Sequence, residues 1–211
     1  MGLGTDAEVL AQHLERVAQE IRTIVGNNIL CEDDYSLPSF IQEHMIAAGH
    51  TLSLAESCTG GMLASQIVDI PGSSAYFQQG FVTYTNESKA NMIGVDPQTI
   101  EKHGAVSLEV ACAMAAGAQQ TAGTTHALAI SGVAGPDGGT ESKPVGTVAF
   151  ALATPDGVVG QLLRGPAWGR KNIRLMACGI AADMLRRHLC NLPVCPGYDA
   201  FKVMETCGAH P

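Results

Sequence analysis

Two short segments of the 211-residue chain combine residue types suited to acyl transfer. The first is Ala55-Glu56-Ser57-Cys58-Thr59-Gly60-Gly61, which follows the alternating run Thr51 to Ala55 and precedes a helical pattern. A strand-to-helix turn holds a side chain at the end of a sheet and aims open backbone N–H groups into one space. Ser57 is then a candidate nucleophile, and the N–H groups around Thr59, Gly60 and Gly61 are candidate oxyanion donors. Two alternatives stand beside this reading. Ser57 or Thr59 could simply cap the helix, or Cys58, at a helix start where a thiolate is favoured, could be the nucleophile. Adjacent residues of an extended segment point to opposite sides, so at most one of Ser57 and Cys58 faces the site.

The second segment is Tyr84-Thr85-Asn86-Glu87-Ser88-Lys89. With Asn86 as N-cap, Lys89 falls in the first helical turn, where the dipole and open N–H groups disfavour a positive charge. A partly buried lysine there loses its proton readily and can act as a general base, with Tyr84 orienting or relaying the proton. A solvated surface lysine is the plain alternative. No His–Asp pair at a recognisable spacing offers a conventional serine triad.

Two further segments could hold an anion. Ser131 to Thr140 contains Gly135, Gly138, Gly139 and Thr140 after a buried run. Such backbone can cradle a phosphate or a ribose, although a tight turn explains it equally well. The G-x-x-x-x-G-K-[ST] loop is absent, which disfavours nucleoside-triphosphate hydrolysis. Arg170 and Arg174, one helical turn apart, could clamp a phosphate or carboxylate or could form a surface ion pair.

The elements that must position these residues follow from periodicity and punctuation. Helices are expected over Asp6 to Val25, Ser36 to about Ala48, Gly61 to Asp69, Asn86 to Ile93, Asp96 to Gly104, Ser107 to Gly123 and Arg170 to Leu189. Strands are expected over Thr51 to Ala55, Phe81 to Thr85 and Ala127 to Ser131, with a hairpin over Val145 to Leu163. The result is an α/β layered domain, with helices packed around a mixed sheet of about five strands. Residues 1–35 read as a helix and linker-like stub, 36–190 as the chemical domain and 191–211 as a partly ordered tail.

Taken together, these segments resemble the C-terminal domain of the competence/damage-inducible protein CinA, a domain that also occurs as a free-standing nicotinamide-nucleotide amidase. The matching residues are Ala55 to Gly61, Pro71 to Ser74, Gly80 to Lys89, Gly104 to Ser107 and Ser131 to Thr147, within a similarity from about Leu37 to Leu189. The resemblance implies hydrolysis of nicotinamide mononucleotide to nicotinate mononucleotide and ammonia, in pyridine-nucleotide salvage. It makes Ser57 the nucleophile, Lys89 its base and Tyr84 their neighbour. Thr59, Gly60 and Gly61 line the site, with Gly135, Gly138, Gly139, Thr140 and Arg170 near the nucleotide. A catalytically silent nucleotide-binding module on the same pocket is the alternative. Before the last helix the family usually has Gly-Asp-Arg, where this chain has Trp168-Gly169-Arg170. That puts any role for the acid in doubt and leaves the arginine. The pyrophosphatase-like domain that precedes this one in full-length relatives is not expected here.

Composition narrows the remaining classes. Apolar residues make up 46% and charged ones 15%, too apolar for a disordered chain. No run approaches the roughly 18 apolar residues of a membrane span, and no signal-peptide pattern opens the chain, so a cytoplasmic protein is expected. A net charge of −8 argues against bulk binding to nucleic acid or anionic membrane. Seven scattered histidines give no metal-ligand spacing, and the scheme needs no cofactor. Of seven cysteines, Cys112 and Cys178 read as core residues, while Cys190, Cys195 and Cys207 could cross-link on oxidation; a disulfide framework is not expected. The apolar face of the first helix needs cover, which suggests a homodimer.

Overall fold

The computed structural model describes residues 3–29 and 36–208. Cys31 and the acidic turn Glu32-Asp33-Asp34 lie outside the described residues. The chain divides into two units after Ser36. The first holds α1 (Leu3–Val25) and a 3-10 turn, Gly26–Asn28. Along α1, Leu10, Leu14, Val17, Ile21 and Ile24 recur at helical spacing, and Arg22 reaches back to Glu15 at 2.7 Å and Gln19 at 3.1 Å.

The second unit runs α2 (Leu37–Ala47), β1 (Leu52–Glu56), α3 (Met62–Val68), β2 (Phe77–Val82), α4 (Asn86–Ile93), α5 (Pro97–His103), α6 (Leu108–Ala122), β3 (His126–Gly132), β4 (Thr147–Thr154), β5 (Gly157–Arg164), α7 (Arg170–Leu189) and β6 (Lys202–Cys207). The sheet order is β2-β1-β3-β4-β5-β6. β1 is parallel to both neighbours, and β3 to β6 are antiparallel in sequence. The chain leaves β1 for β2 on one side and later returns to β3 on the other, so β1 is a topological switch point.

Each face of the sheet carries its own core. On one face Leu52, Leu54, Leu128, Ile130, Val148, Phe150 and Leu152 pack against α2, α3 and α7. On the other, Ala55, Ala127, Ala129, Ala149, Ala151 and Ala153 make a floor of small side chains under α6. The strict alternation of large and small residues in β3 and β4 follows from the two-residue period of a strand. A floor of alanines lets the alanine-rich α6 approach the sheet closely. The same closeness holds between helices: a Cβ at Gly117 would stand only 1.9 Å from the Ile93 carbonyl oxygen.

Two differences from the sequence reading concern strands. β2 covers Phe77–Val82 rather than Phe81 to Thr85, because Thr85 is drawn into a capping box with Ser88 and becomes the N-cap of α4. A sixth strand, β6, forms within the expected tail. Lys202 to Cys207 is short and weakly patterned, and gains its ladder only by pairing with the edge of β5. Among the described residues no helix is long and apolar enough to cross a membrane.

Candidate active site

Ser57 is the first residue after β1, and its N–H still bonds to Ile130 O at 2.9 Å, continuing the β1–β3 ladder by one step. The chain then turns sharply. Gly60 N donates to Ser57 O at 3.1 Å, and Gly61, at φ +87°, enters α3 without a side-chain cap. That dihedral lies in the left-handed region that glycine adopts freely. The cap comes from the strand instead. The buried Glu56 carboxylate accepts from Gly61 N at 3.0 Å and Leu63 N at 3.1 Å through one oxygen, and from Ala64 N at 2.8 Å through the other. A carboxylate held by three amides at a helix N-terminus is a strong, charge-assisted fastening.

This fastening corrects the expected donor set. The amides of Gly60 and Gly61 are spent within the turn, and Met62 N bonds to Thr59 O at 3.3 Å. Among the described residues only the amides of Cys58 and Thr59 in this turn lack an acceptor. An oxyanion formed beside Ser57 would therefore look to those two N–H groups.

Cys58 points away from any such chemistry. Its side chain belongs to the core between the sheet and α7, and burial pushes its thiol up to about 11. The nearby Arg174 charge opposes the shift without cancelling it. At neutral pH Cys58 is a protonated core residue.

Lys89 is only 1% exposed and Ser57 9%. The lysine comes from α4, 32 residues further along the chain, and its Nζ lies 3.2 Å from Ser57 Oγ and 2.8 Å from Thr83 O. Thr83 is itself fixed, its N–H bonding to Glu56 O at 2.8 Å across the β1–β2 junction. With Thr85 as N-cap, Lys89 is the fourth helical residue, its own N–H closing the first α-helical bond on Thr85 O at 3.2 Å. Its ammonium is held below the usual lysine range mainly by burial. The helix dipole invoked from the sequence is not the main cause. A Cys58 thiolate would oppose the shift, but that thiol is protonated at neutral pH.

The remaining expected residues divide into two groups. Tyr84 is exposed, and its hydroxyl accepts from Arg170 Nη2 at 3.0 Å; among the described residues it bonds to neither Ser57 nor Lys89. Arg170 also donates to Gly135 O at 3.0 Å, joining the start of α7, the glycine-rich loop and the link between β2 and α4. Thr59 is buried, and its carbonyl accepts from Arg174 Nη2 at 2.6 Å. Gly138, Gly139 and Thr140 sit on the exposed tip of the loop, where Thr140 bonds with Lys143. No bond links them to Ser57 or Lys89. The loop is anchored lower down, where Lys143 Nζ donates to His103 O at 2.6 Å.

Several polar atoms near the pair have no partner among the described residues: Thr59 Oγ1, Thr83 Oγ1 and Arg174 Nε. Buried polar atoms are rarely left so; Gln42, Tyr76, Thr147 and Gln161 elsewhere in the domain share the feature, so the mark of this place is the Ser57–Lys89 contact rather than the unmade bonds alone. Sequence reasoning missed two contributors. An acid before a helix is a common signal, but Glu56 lies five to eight residues from the amides it caps, outside the usual capping spacing. The Thr83 carbonyl carries no side-chain signal at all. Among the described residues no group of three or more His, Cys, Asp and Glu side chains gathers closely enough to hold a metal ion.

The model of the CinA C-terminal domain matches residues 34–189. The chain is similar to the protein of Shewanella oneidensis named nicotinamide-nucleotide amidohydrolase PncC, 49% identical over 187 residues, covering 89% of this chain and 44% of that one. A CinA-like protein of Shewanella baltica strain OS155 is 51% identical over 176 residues, 83% of this chain and 42% of that one. The chain thus spans less than half the length of these curated relatives. Among solved structures, the competence/damage-inducible protein CihA of Agrobacterium tumefaciens is 38% identical with a TM-score of 0.68, covering 75% of this chain and 99% of that one. A CinA-superfamily protein of Klebsiella pneumoniae is 34% identical with a TM-score of 0.70, covering 73% and 96%.

Proposed function

The chain belongs to the CinA C-terminal domain family, and on that footing we propose that it hydrolyses the carboxamide of nicotinamide mononucleotide, giving nicotinate mononucleotide and ammonia. The observation that carries the reading is the buried Lys89 amine 3.2 Å from Ser57 Oγ. Support for the substrate comes from the name of the Shewanella oneidensis relative.

Neutral Lys89 takes the Ser57 hydroxyl proton as Oγ attacks the amide carbon. Its bond to Thr83 O fixes the amine, so that its lone pair is left for the serine. The oxygen that becomes negative is met by the amides of Cys58 and Thr59. Lys89 returns the proton to the leaving nitrogen, ammonia departs, and an ester joins Ser57 to the nicotinoyl carbon. Water, deprotonated by Lys89, cleaves that ester, releasing the acid and restoring the hydroxyl. Tyr84, held by Arg170, acts on the substrate rather than in the proton transfer. Arg170 supplies the positive charge that a phosphate-bearing substrate needs on a net-acidic protein. The reaction is placed in the cytoplasm, where a phosphorylated nucleotide is retained. A homodimer is proposed from the apolar series along α1.

The test is ammonia release by the purified chain from nicotinamide mononucleotide, nicotinamide and glutamine. Release from the mononucleotide should exceed the other two by orders of magnitude, and Ser57→Ala should lower it by at least about 10³-fold with the fold retained. Equal release from all three would remove the nucleotide from the reading. Undiminished turnover in Ser57→Ala would remove the serine.

A further inference from the structure

The family domain ends at residue 189, and the segment after it brings three cysteines, Cys190, Cys195 and Cys207. This segment is laid down on the domain. Val194 is buried in the core on the α7 side, and the Tyr198 hydroxyl donates to Asp183 Oδ2 at 3.0 Å. Asp183 is held in turn by Arg186 and Arg187, each at 2.7 Å. The chain then forms β6, which among the described residues pairs only with β5 and has no strand on its other edge.

At the end of that strand Cys207 stands in register with Gly160 of β5. Cys112 of α6 lies over the same glycine: a Cβ at Gly160 would come within 3.2 Å of Cys112 Sγ and 3.0 Å of Leu108 Cδ1. The absent side chain is what lets two sulfurs, 95 residues apart in sequence, meet at 3.0 Å. Cys112, expected from its apolar surroundings to be an inert core residue, is half-buried and faces a second thiol. Both are free thiols, and closing a bond between them needs a movement of only about 1 Å.

We infer that Cys112 and Cys207 are a disulfide-forming pair, a site of reversible oxidation that fastens the C-terminal strand to α6. The oxidant class is a small disulfide such as oxidised glutathione. The thiolate of Cys207, on the open edge strand, attacks one sulfur of that disulfide; its S–S bond breaks and one small thiolate leaves. The Cys112 thiol then loses its proton and attacks the Cys207 sulfur of the mixed disulfide, expelling the second small thiolate. Two protein thiols are oxidised, and one small disulfide is reduced to two small thiols. Burial raises the Cys112 thiol above the ordinary cysteine range, which suits it to the second, intramolecular step and not to first attack. In a reducing compartment the pair rests as two thiols and closes only under oxidant. Once closed, it ties a segment that the family domain does not include to that domain across a long loop, the arrangement in which a cross-link restricts the unfolded chain most.

The experiment uses the full chain, reduced, then exposed to oxidised glutathione and alkylated before non-reducing peptide mapping. The expected product is a peptide pair joined through Cys112 and Cys207, two hydrogens lighter than its parts. It should be lost in Cys207→Ser and retained in Cys195→Ser. Oxidised wild-type protein should show a Tm raised by several degrees, reversed by reductant and absent in Cys207→Ser. Cys207 ends an exposed edge strand, so its serine variant tests the pair without disturbing the core. Linkage of Cys207 to Cys195 instead, glutathione adducts without an internal bond, or a Tm unmoved by oxidation would overturn the proposal.

Discussion

The two ends of strands β1 and β3 hold similar materials and use them in opposite ways. At their N-terminal ends, threonines and histidines make a closed network. Thr51 N donates to Thr125 Oγ1 at 2.8 Å, Thr125 N to Thr51 Oγ1 at 2.9 Å, and Thr125 Oγ1 to Thr51 O at 3.0 Å. Because the Thr125 hydroxyl proton is spent on that carbonyl, the His126 Nδ1 atom 2.8 Å from Thr125 Oγ1 is the donor in their bond. His126 Nε2 is then left as acceptor, and His188 Nε2, 3.2 Å away, donates to it. His50 packs its ring against His126 at 4.6 Å. At the C-terminal ends, Ser57 and Lys89 meet amid Thr59, Thr83 and Arg174 atoms that have no partner among the described residues. One end closes its bonds within the chain and holds the fold; at the other, three buried polar atoms have no partner among the described residues. Burial and titratable groups alone do not mark a site, since both ends have them. What sets the C-terminal end apart is a hydroxyl and a buried amine in direct contact, Ser57 Oγ and Lys89 Nζ.

The sharpest way to break this contrast is Lys89→Met. If the site end is built for chemistry at the expense of stability, turnover should fall by about 10²- to 10⁴-fold. The unfolding free energy should hold or rise by up to about 2 kcal/mol, because a buried amine is replaced by an apolar chain of similar length. A clear loss of stability, read by urea unfolding, would make the lysine structural. In the wild-type protein kcat/KM should rise with pH along one limb and level off below the ordinary lysine value of 10.5, because the proposed base is the neutral amine.

The opposite end should answer to pH through stability rather than rate. Burial, with the charges of His188 and His50, pushes His126 down from 6.5 to about 4. The folded state keeps this ring neutral while the unfolded state binds a proton below about pH 6.5. The stability it contributes is therefore full above that pH and is lost on acidification toward pH 4, by about 1.4 kcal/mol per pH unit. Urea midpoints between pH 8 and pH 4.5 should show the slope, and His126→Gln should flatten it. A slope unchanged in that variant would assign the acid sensitivity to other groups. Thr125→Val should cost about 1–3 kcal/mol at neutral pH by stranding partners of a closed network, with ammonia release unchanged. The smallest expected effect is that of Tyr84→Phe. The hydroxyl touches Arg170 and not the Ser57–Lys89 pair, so KM should rise by less than about tenfold while kcat holds. A large fall in kcat would return Tyr84 to the proton path.

Much of the scaffold was readable from sequence because its signals are local. Asp96-Pro97 and Ser107 cap α5 and α6 where the residue types predicted. The apolar run Ala127 to Ser131 read as a buried strand, and those residues are buried in β3. Where local rules competed, the reading slipped: Thr85 won the N-cap over Asn86 because Ser88 completes a box with it, which shortened β2 and moved Lys89 one position into its helix. Among the expected site residues, Ser57, Lys89 and Thr59 share one neighbourhood, with Arg170 tied to Tyr84 and Gly135 beside the loop. Gly138, Gly139 and Thr140 stand apart on its tip.

The amino-acid order by itself determined most of the elements, the caps of α5 and α6, and the candidacy of a serine after one strand and a lysine opening one helix, since periodicity and capping act within a few residues. Only the tertiary structure decided that those two side chains touch, that Cys58 turns inward, that Glu56 consumes the amides expected for the oxyanion, and that Cys207 reaches Cys112 over a glycine. These are contacts between segments distant in sequence, fixed by strand register and by how closely helices approach the sheet, and no local pattern encodes either.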